Sequence, residues 1–319
     1  MRVEGLSNGS SSPKMNHVLN ITENNLFMDS FNLSQNTSGE DTVSHIITSA
    51  INVPSMLVAI VGNSLILAAI LSTRSPSLRS PAILLLCNLA VSDLLVGLVI
   101  QPLFIVSVFH STRLLLTGIW FILSNSACGI SLCTLTAIAV DRFLALHYHL
   151  RYSTIVTSFR IKTFLTALWL MNFIFSGTVY FWSLRIFSLY LTIFVCLCLI
   201  ISIFCYVRIF KIVRHQQKKI HCQHQAVNLP QGSTISNLLQ LEKSAINSFL
   251  FFIVMVLFYI PVSTYLSLFI TKNTWQSGWR VATTLVYINS SVNPFLYCWR
   301  IGDLRAAVLK TARLSLIHI

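Results

Sequence analysis

One long apolar run, from Leu114 to Tyr152, constrains this chain more than any other feature. Its first charged residues, Asp141 and Arg142, stand side by side near its end, and a polar, basic stretch follows them. At about 1.5 Å per residue, a helix of this length is longer than the roughly 30 Å hydrocarbon core of a bilayer. The charged pair can be read either as ordinary interfacial charges or as functional groups.

The composition of the chain agrees with a membrane location. Of its 319 residues, 55% are hydrophobic and 10% are charged, and the mean hydropathy is +0.73. A soluble domain carries about 25% charged residues. The hydrophobic excess therefore predicts a polytopic membrane protein with one compact helical domain.

The net charge of +13 would suit nucleic acid, but the distribution of the basic residues argues against such a partner. Sixteen of them fall on one predicted side of the membrane, and six fall on the other: Arg2, Lys14, Arg113, Arg185, Lys272 and Arg280. Basic residues accumulate in cytoplasmic loops. We therefore expect a plasma-membrane protein with an extracellular N-terminus and a cytoplasmic C-terminus, and no nucleic-acid partner.

Seven apolar stretches predict seven membrane-spanning helices. They cover approximately residues 46-71, 82-109, 114-146, 161-182, 186-213, 244-270 and 280-299. The predicted fold is all-α: a seven-transmembrane helix bundle over residues 46–300, then a short amphipathic membrane-surface helix and cytoplasmic tail over 301–319. The connection 215–241 is predicted to be a long polar loop. None of the eight cysteines lies in a predicted extracellular segment, so no disulfide is expected there.

The first 45 residues form a separate polar tail, which we expect to be extracellular and glycosylated. The tail is rich in Asn and Ser, and four Asn-x-Ser/Thr acceptor sites lie in it. They start at Asn8, Asn20, Asn32 and Asn36.

Polar residues within the apolar stretches are the best indication of function, because buried polar groups in a membrane need partners. Asp93 is the single acid predicted at mid-membrane depth. The oxygen atoms of Ser131, Asn289 and Asn293 would suit sodium beside this carboxylate. Hydrogen bonds that join helices account equally well for Asn63 and the serines, but they do not account for the charge of Asp93.

Several short motifs, one or more in each apolar stretch, resemble together those of the rhodopsin-like G-protein-coupled receptors. The resemblance covers about residues 46 to 314. In chain order the motifs are GN (Gly62, Asn63), NLAVSD (Asn88 to Asp93), DRF (Asp141 to Phe143), LRY (Leu150 to Tyr152), Trp169, Tyr206, FYIP (Phe258 to Pro261) and NSSVNPFLY (Asn289 to Tyr297).

The resemblance implies an outer ligand pocket and an inner site for a heterotrimeric G protein. It implies that Arg142 is restrained by Asp141 at rest and joined by Tyr206 and Tyr297 in the active state. It also implies that the sixth helix swings outward on activation. The implied activation kinks are Tyr259, Pro261, Asn293 and Pro294, and the implied sodium pocket is Asp93, Ser131, Asn289 and Asn293.

Three departures from the common pattern point to one branch of these receptors. Thr117 stands where most members carry a disulfide cysteine, Cys198 stands where a proline is usual, and the second outer loop is very short. The combination resembles the melanocortin, cannabinoid and lysophospholipid receptors, with the adenosine receptors as relatives. In addition, Tyr259 replaces the tryptophan that usually precedes Pro261.

The implied ligand pocket is mostly apolar with a few hydrogen-bonding groups. Ser124 stands where amine receptors carry an aspartate, which argues against an amine ligand. A lipid or another small neutral ligand suits such a lining; alternatively, these residues only pack and the receptor signals without a ligand. The expected lining is Trp120, Phe121, Ser124, Asn125, Cys128, Tyr259, Tyr265 and Tyr287.

Other classes of membrane protein fit the sequence less well. A transporter or lipid scramblase would also have several spans and mid-membrane polar groups, but the chain has neither internal repeats nor paired broken helices. We expect no enzyme activity, because no nucleophile, base and orienting acid converge. Apart from sodium as an allosteric ion, we expect no metal and no cofactor. A non-coupling or constitutively active seven-helix protein remains an alternative.

Overall fold

The computed structural model is helical over most of the residues that it describes. The described residues are 39–72, 81–109, 114–148, 151–178, 184–226, 250, 253–254, 256–268, 278–300 and 302–317. The helices among them are α1 (Gly39–Ser72), α2 (Ile83–Phe109), α3 (Leu114–Tyr148), α4 (Ser158–Gly177), α5 (Leu184–Ala226), α6 (Val256–Leu268), α7 (Gly278–Arg300) and α8 (Gly302–Ile317), with a single turn, Tyr152–Ile155, between α3 and α4. The all-α prediction is confirmed for this part of the chain.

Four of the described helices are long and apolar enough to cross a membrane. These stretches are His45–Ser72, Ile83–Val108, Leu116–Tyr148 and Ile186–Lys218, and the apolar part of α6 is shorter. The most apolar window of α3 is 67% buried, whereas that of α5 is 28% buried. Helix α3 therefore forms the centre of the bundle, and much of α5 faces outward, where a membrane protein meets lipid.

Helix α2 is not a regular α-helix throughout. It runs as Ile83–Leu95, passes through one wide π turn at Val96–Ile100, and continues as Gln101–Phe109. A π turn inserts an extra residue into the helix, so it rotates the following side chains relative to the preceding ones. After this turn, the buried Gln101 side chain donates to Asn52 Oδ1 of α1 at 3.2 Å.

Buried polar side chains form hydrogen bonds between the helices. Such bonds are expected in a membrane, because lipid is as apolar as the helix surfaces and the hydrophobic effect does not drive the helices together. Between α1 and α7, Asn52 Nδ2 donates to Thr284 Oγ1 at 3.0 Å, and Asn63 Nδ2 donates to the Ser290 carbonyl at 3.1 Å. Asn88 joins three helices. Its Nδ2 donates to Thr134 Oγ1 of α3, and its Oδ1 accepts from Trp169 Nε1 of α4, each at 2.8 Å.

The structure corrects several predicted boundaries. The inner loop does not begin at His215, because α5 continues as a helix to Ala226 and includes the first part of the predicted loop. Helix α1 begins at Gly39, within the predicted tail, and α4 ends at Gly177, five residues before the predicted end of its span. Beyond α7, Leu304 and Ala307 of α8 are buried while Arg305 is exposed.

Candidate functional site

An ion pair lies at the inner end of α3. Arg142 Nη2 is 3.0 Å from Asp141 Oδ2, and the Asp141 side chain is buried while that of Arg142 is partly exposed. The Tyr152 hydroxyl, on the turn after α3, donates to Asp141 Oδ1 at 2.6 Å. Burial and this bond to the Asp141 carboxylate raise the pKa of Tyr152, so its hydroxyl stays protonated as a donor.

The two tyrosines implied to close on Arg142 are buried in different parts of the bundle. Tyr206 of α5 packs in a small cluster at the inner end of α3 that includes Leu146 and Ile209. Tyr297 of α7 is fully buried in the main core with Leu296. Each tyrosine therefore has its own packing environment in this conformation.

Two of the three residues predicted to hold sodium beside Asp93 contact this acid, which is fully buried. Asn293 Nδ2 of α7 donates to Asp93 Oδ2 at 2.8 Å, and Ser131 Oγ of α3 donates to Asp93 Oδ1 at 3.4 Å. The Ser92 and Ser131 hydroxyls lie 2.9 Å apart. The acid is thus surrounded by neutral donors, and the described part of the chain brings no cation to it.

Asn289, the fourth predicted sodium residue, is buried, but neither its Oδ1 nor its Nδ2 has a hydrogen-bond partner among the described residues. A buried amide without partners is costly. Its oxygen is therefore suited to take up a water molecule or a cation, one helical turn before Asn293, which contacts Asp93. The donor set, one carboxylate with hydroxyl and amide oxygens, fits a hard monovalent cation such as sodium.

Seven of the eight predicted pocket residues line one cavity between α3, α5, α6 and α7. It encloses about 60 Å³, which is room for a few water molecules. The Ser124 and Tyr287 hydroxyls lie 2.8 Å apart across it, and the Tyr259 hydroxyl donates to the Cys128 carbonyl at 3.1 Å. The seven are Trp120, Phe121, Ser124, Asn125, Cys128, Tyr259 and Tyr287.

Tyr265 is the exception. Its ring lies against Trp279, at 5.9 Å between ring centroids, and against Gly278, where an added Cβ would be 2.8 Å from the ring. The cavity is lined instead by Trp279, Thr283 and Val286 of α7, which were not predicted from the sequence. The GWRVATT stretch offered one signal: an aromatic residue and a threonine four positions apart lie on one helical face.

The proposed activation kinks lie in the two described helices that contain a motif proline. Pro261 lies within α6 beside Tyr259, and Pro294 follows Asn293 within α7. Pro294 is buried against α1: a Cβ added at Gly62 would be 2.8 Å from its ring. The predicted glycosylation sites, Asn8, Asn20, Asn32 and Asn36, lie outside the described residues.

Comparison with known proteins finds a family model and a curated relative that are similar to this chain. The family model described as "7 transmembrane receptor (rhodopsin family)" matches residues 62–187, from the GN motif of α1 to the start of α5. Melanocortin receptor 4 of Danio rerio is 28% identical over 273 residues, which cover 78% of this chain and 78% of the relative. This second match agrees with the branch predicted from the missing cysteine and proline. The chain is a multi-pass membrane protein that is similar to the rhodopsin family of 7 transmembrane receptors, and both matches support a G-protein-coupled receptor.

Proposed function

We propose that this receptor transmits the binding of an extracellular lipid or other small neutral ligand to a cytoplasmic heterotrimeric G protein. Seven membrane-spanning helices then place the N-terminus outside and the C-terminus inside. The ion pair of Asp141 and Arg142 carries the proposal, because it is the element that ligand binding can bias.

The contacts of Asp141 support a switch at the inner end of α3. The acid is shared between Arg142, at 3.0 Å, and the Tyr152 hydroxyl, at 2.6 Å. The Arg142 side chain is already partly exposed, so it can leave Asp141 with little rearrangement of the residues around it. A basic side chain held by a neighbouring acid has two alternative arrangements, and a ligand that favours one of them shifts the population. In the active state, Tyr206 and Tyr297 are proposed to contact the released Arg142.

The outer cavity supports the ligand class. Its wall is mainly aromatic and aliphatic, and its hydroxyl groups, those of Ser124 and Tyr287 among them, are neutral. No acidic or basic side chain lines it among the described residues. Such a wall favours apolar or neutral molecules, which lose little hydration on entry. A charged ligand would lack a partner for its charge.

Sodium is proposed as an allosteric ligand of the pocket around Asp93. The carboxylate, the Ser131 hydroxyl and the unpartnered amide of Asn289 support this assignment. Asn293 already hydrogen-bonds to Asp93 and belongs to α7, whose proline follows it directly. An ion held there would stabilise the conformation in which α2, α3 and α7 meet at Asp93.

Signalling without a ligand is a second candidate, and the size of the outer cavity favours it. The cavity encloses about 60 Å³, whereas sites for drug-sized ligands measure about 300–1,000 Å³. Ser124 and Tyr287 also satisfy each other's hydroxyl groups. A ligand must therefore displace side chains to enter, or the receptor has a basal activity that needs none.

G-protein activation in cells tests the proposal, with wild type compared with Arg142→Ala. Arg151→Ala is the matched control, because this exposed arginine lies at the same end of the bundle. We expect wild-type activity to be lost in Arg142→Ala at equal surface expression and retained in Arg151→Ala. Equal activity in all three proteins would contradict coupling through Arg142.

A cavity-filling variant separates the two candidates. Val286→Phe places a larger side chain in the outer cavity wall. If a lipid or neutral ligand binds there, the variant loses the response to that ligand. If the receptor signals without a ligand, lipid and nucleoside panels produce no response in wild type, and its basal activity is the only signal.

A further inference from the structure

A second cavity of about 410 Å³ lies between the inner ends of α3 and α5. This volume falls in the range of about 300–1,000 Å³ that is typical of ligand sites, and it is much larger than that of the outer cavity. Leu146 and Ile212 form its apolar wall, and the remaining lining is polar or basic. The polar lining is His147, Arg208, Lys211, His215 and Gln216.

The charge around this cavity is not balanced by any acidic side chain that the structure describes. Arg208 and Lys211 are both cationic, and no carboxylate is among the described lining residues. Of the acids whose side chains the structure describes, Asp93 is buried in the middle of the bundle and Asp141 is engaged by Arg142 and Tyr152. The cavity is therefore a concave site with an excess of positive charge and donors.

Aromatic contacts hold the basic side chains in position. The rings of Phe143 and His147 stack with centroids 5.4 Å apart, and Phe143 meets Phe204 of α5 edge to face at 6.3 Å. The Arg208 guanidinium carbon lies 6.0 Å from the centroid of Phe204. One continuous set of rings thus connects His147 of α3 to Arg208 of α5.

The position along α5 places the cavity at the edge of the hydrocarbon layer. Phe204, Val207 and Phe210 are large apolar side chains on the surface of the bundle, about half exposed. Lys211 and His215 follow one turn apart, a rise of roughly 6 Å along the helix. The cavity therefore lies at the depth of lipid headgroups, next to the apolar surface that their acyl chains cover.

We propose that this cavity binds the phosphorylated headgroup of an anionic phospholipid, of the phosphoinositide class. Arg208 and Lys211 would contact phosphate oxygens, and the two histidines would donate further hydrogen bonds. Basic pockets between helices on the cytoplasmic side suit such headgroups, and guanidinium and ammonium groups match phosphate geometry and charge. The headgroup belongs to the cytoplasmic leaflet if the C-terminus is cytoplasmic, so this inference rests on the orientation in the proposed function. It does not depend on an outer ligand or on G-protein coupling.

The test is lipid binding by the purified full-length receptor in nanodiscs. One set of discs contains phosphatidylcholine alone, a second adds phosphatidylserine, and a third adds a bisphosphorylated phosphoinositide carrying a fluorescent label. The variant is Arg208→Gln/Lys211→Gln. Its matched control is Arg214→Gln/Lys218→Gln, which removes the same charge from the same helix at exposed residues that do not line the cavity.

We expect the lining variant to bind the phosphoinositide about 25-fold more weakly, roughly fivefold for each charge removed near the surface. The control should stay within about twofold of wild type, because its charges lie outside the cavity. Phosphatidylserine at equal total charge should compete poorly. The single variant Lys211→Gln, at an exposed position, should weaken binding about fivefold and covers the case in which the double variant does not fold.

Three outcomes would overturn the proposal. Equal weakening in both double variants would mean diffuse attraction to a charged surface. Unchanged binding in the lining variants would place the lipid elsewhere. Loss of G-protein binding with retained lipid binding would assign the basic residues to a protein partner. Activation of the G protein by wild type, measured in the same discs, shows separately whether the proposed function holds.

Discussion

The Tyr152 hydroxyl donates to Asp141 Oδ1 at 2.6 Å, from a turn outside the helix that carries the acid. Asp141 is 4% exposed, and its other oxygen faces Arg142 at 3.0 Å. One carboxylate therefore joins the turn after α3 to the arginine that is proposed to meet the G protein. The position of this turn and the restraint on Arg142 depend on each other.

Tyr152→Phe should therefore raise basal signalling. Removing the hydroxyl leaves a buried carboxylate oxygen with one donor fewer, at a cost of about 1 kcal/mol for this partly exposed pair. The hydroxyl also holds the Asp141 carboxylate in position for Arg142, so its loss should weaken the restraint on Arg142. Basal G-protein activation should then rise up to roughly fivefold. Tyr148→Phe, an exposed tyrosine at the same end, should leave it unchanged. Basal activity at or below the wild-type level in Tyr152→Phe would mean that this bond does not restrain Arg142.

Asp93→Asn should abolish stabilisation of the receptor by sodium. A ligand that binds the native state stabilises it, by about 1 kcal/mol at roughly five times its dissociation constant. The thermal midpoint of wild type should be higher in sodium chloride than in potassium chloride, and the two should coincide in Asp93→Asn. Asn88→Ala is the control: it removes two hydrogen bonds outside this pocket, and it should lower both midpoints while keeping their difference. A sodium effect that persists in Asp93→Asn would rule out this pocket.

The pocket around Asp93 was predictable because polar residues are conspicuous in an apolar sequence. One acid at mid-membrane depth has few alternatives to a polar cluster, and Ser131 and Asn293 do meet it. The bond between Tyr152 and Asp141 was not predictable, because it depends on how the chain turns after α3. Sequence spacing gave no sign of it.

Helix rotation and helix length were harder to predict, for a physical reason. A helix that is apolar on all sides has no hydrophobic face to fix its rotation. Tyr265 was consequently assigned to the pocket, and Thr283 was missed. The π turn at Val96–Ile100 lies in a stretch of apolar residues and glycine with no visible signal. The extension of α5 to Ala226 was missed because a polar helix and a polar loop have similar compositions.

Gly62→Ala should destabilise the bundle by about 1–3 kcal/mol, the usual cost of overpacking. A Cβ at this position would lie 2.8 Å from both Cβ and Cγ of Pro294, and a proline ring has little freedom to move aside. Gly177→Ala is the control, because nothing lies within 4 Å of a Cβ there. Thermal unfolding of the purified receptor measures both. Equal midpoints for the two variants would mean that α1 and α7 separate easily at Pro294.

Tyr259→Phe should raise basal G-protein activation by easing the outward movement of α6. The Tyr259 hydroxyl donates to the Cys128 carbonyl of α3 at 3.1 Å, which is a direct bond between the central helix and α6, the helix that the resemblance implies to swing outward. The ring that remains still fills its buried site, so packing changes little. Ser263→Ala, on the same helix, removes a hydroxyl that donates only within α6, to the Ile260 carbonyl, and is the control. Basal activation should rise in Tyr259→Phe and not in Ser263→Ala. Since the bond contributes about 1 kcal/mol, the rise should reach roughly fivefold; unchanged activity at equal expression would show that this bond does not hold α6 in place.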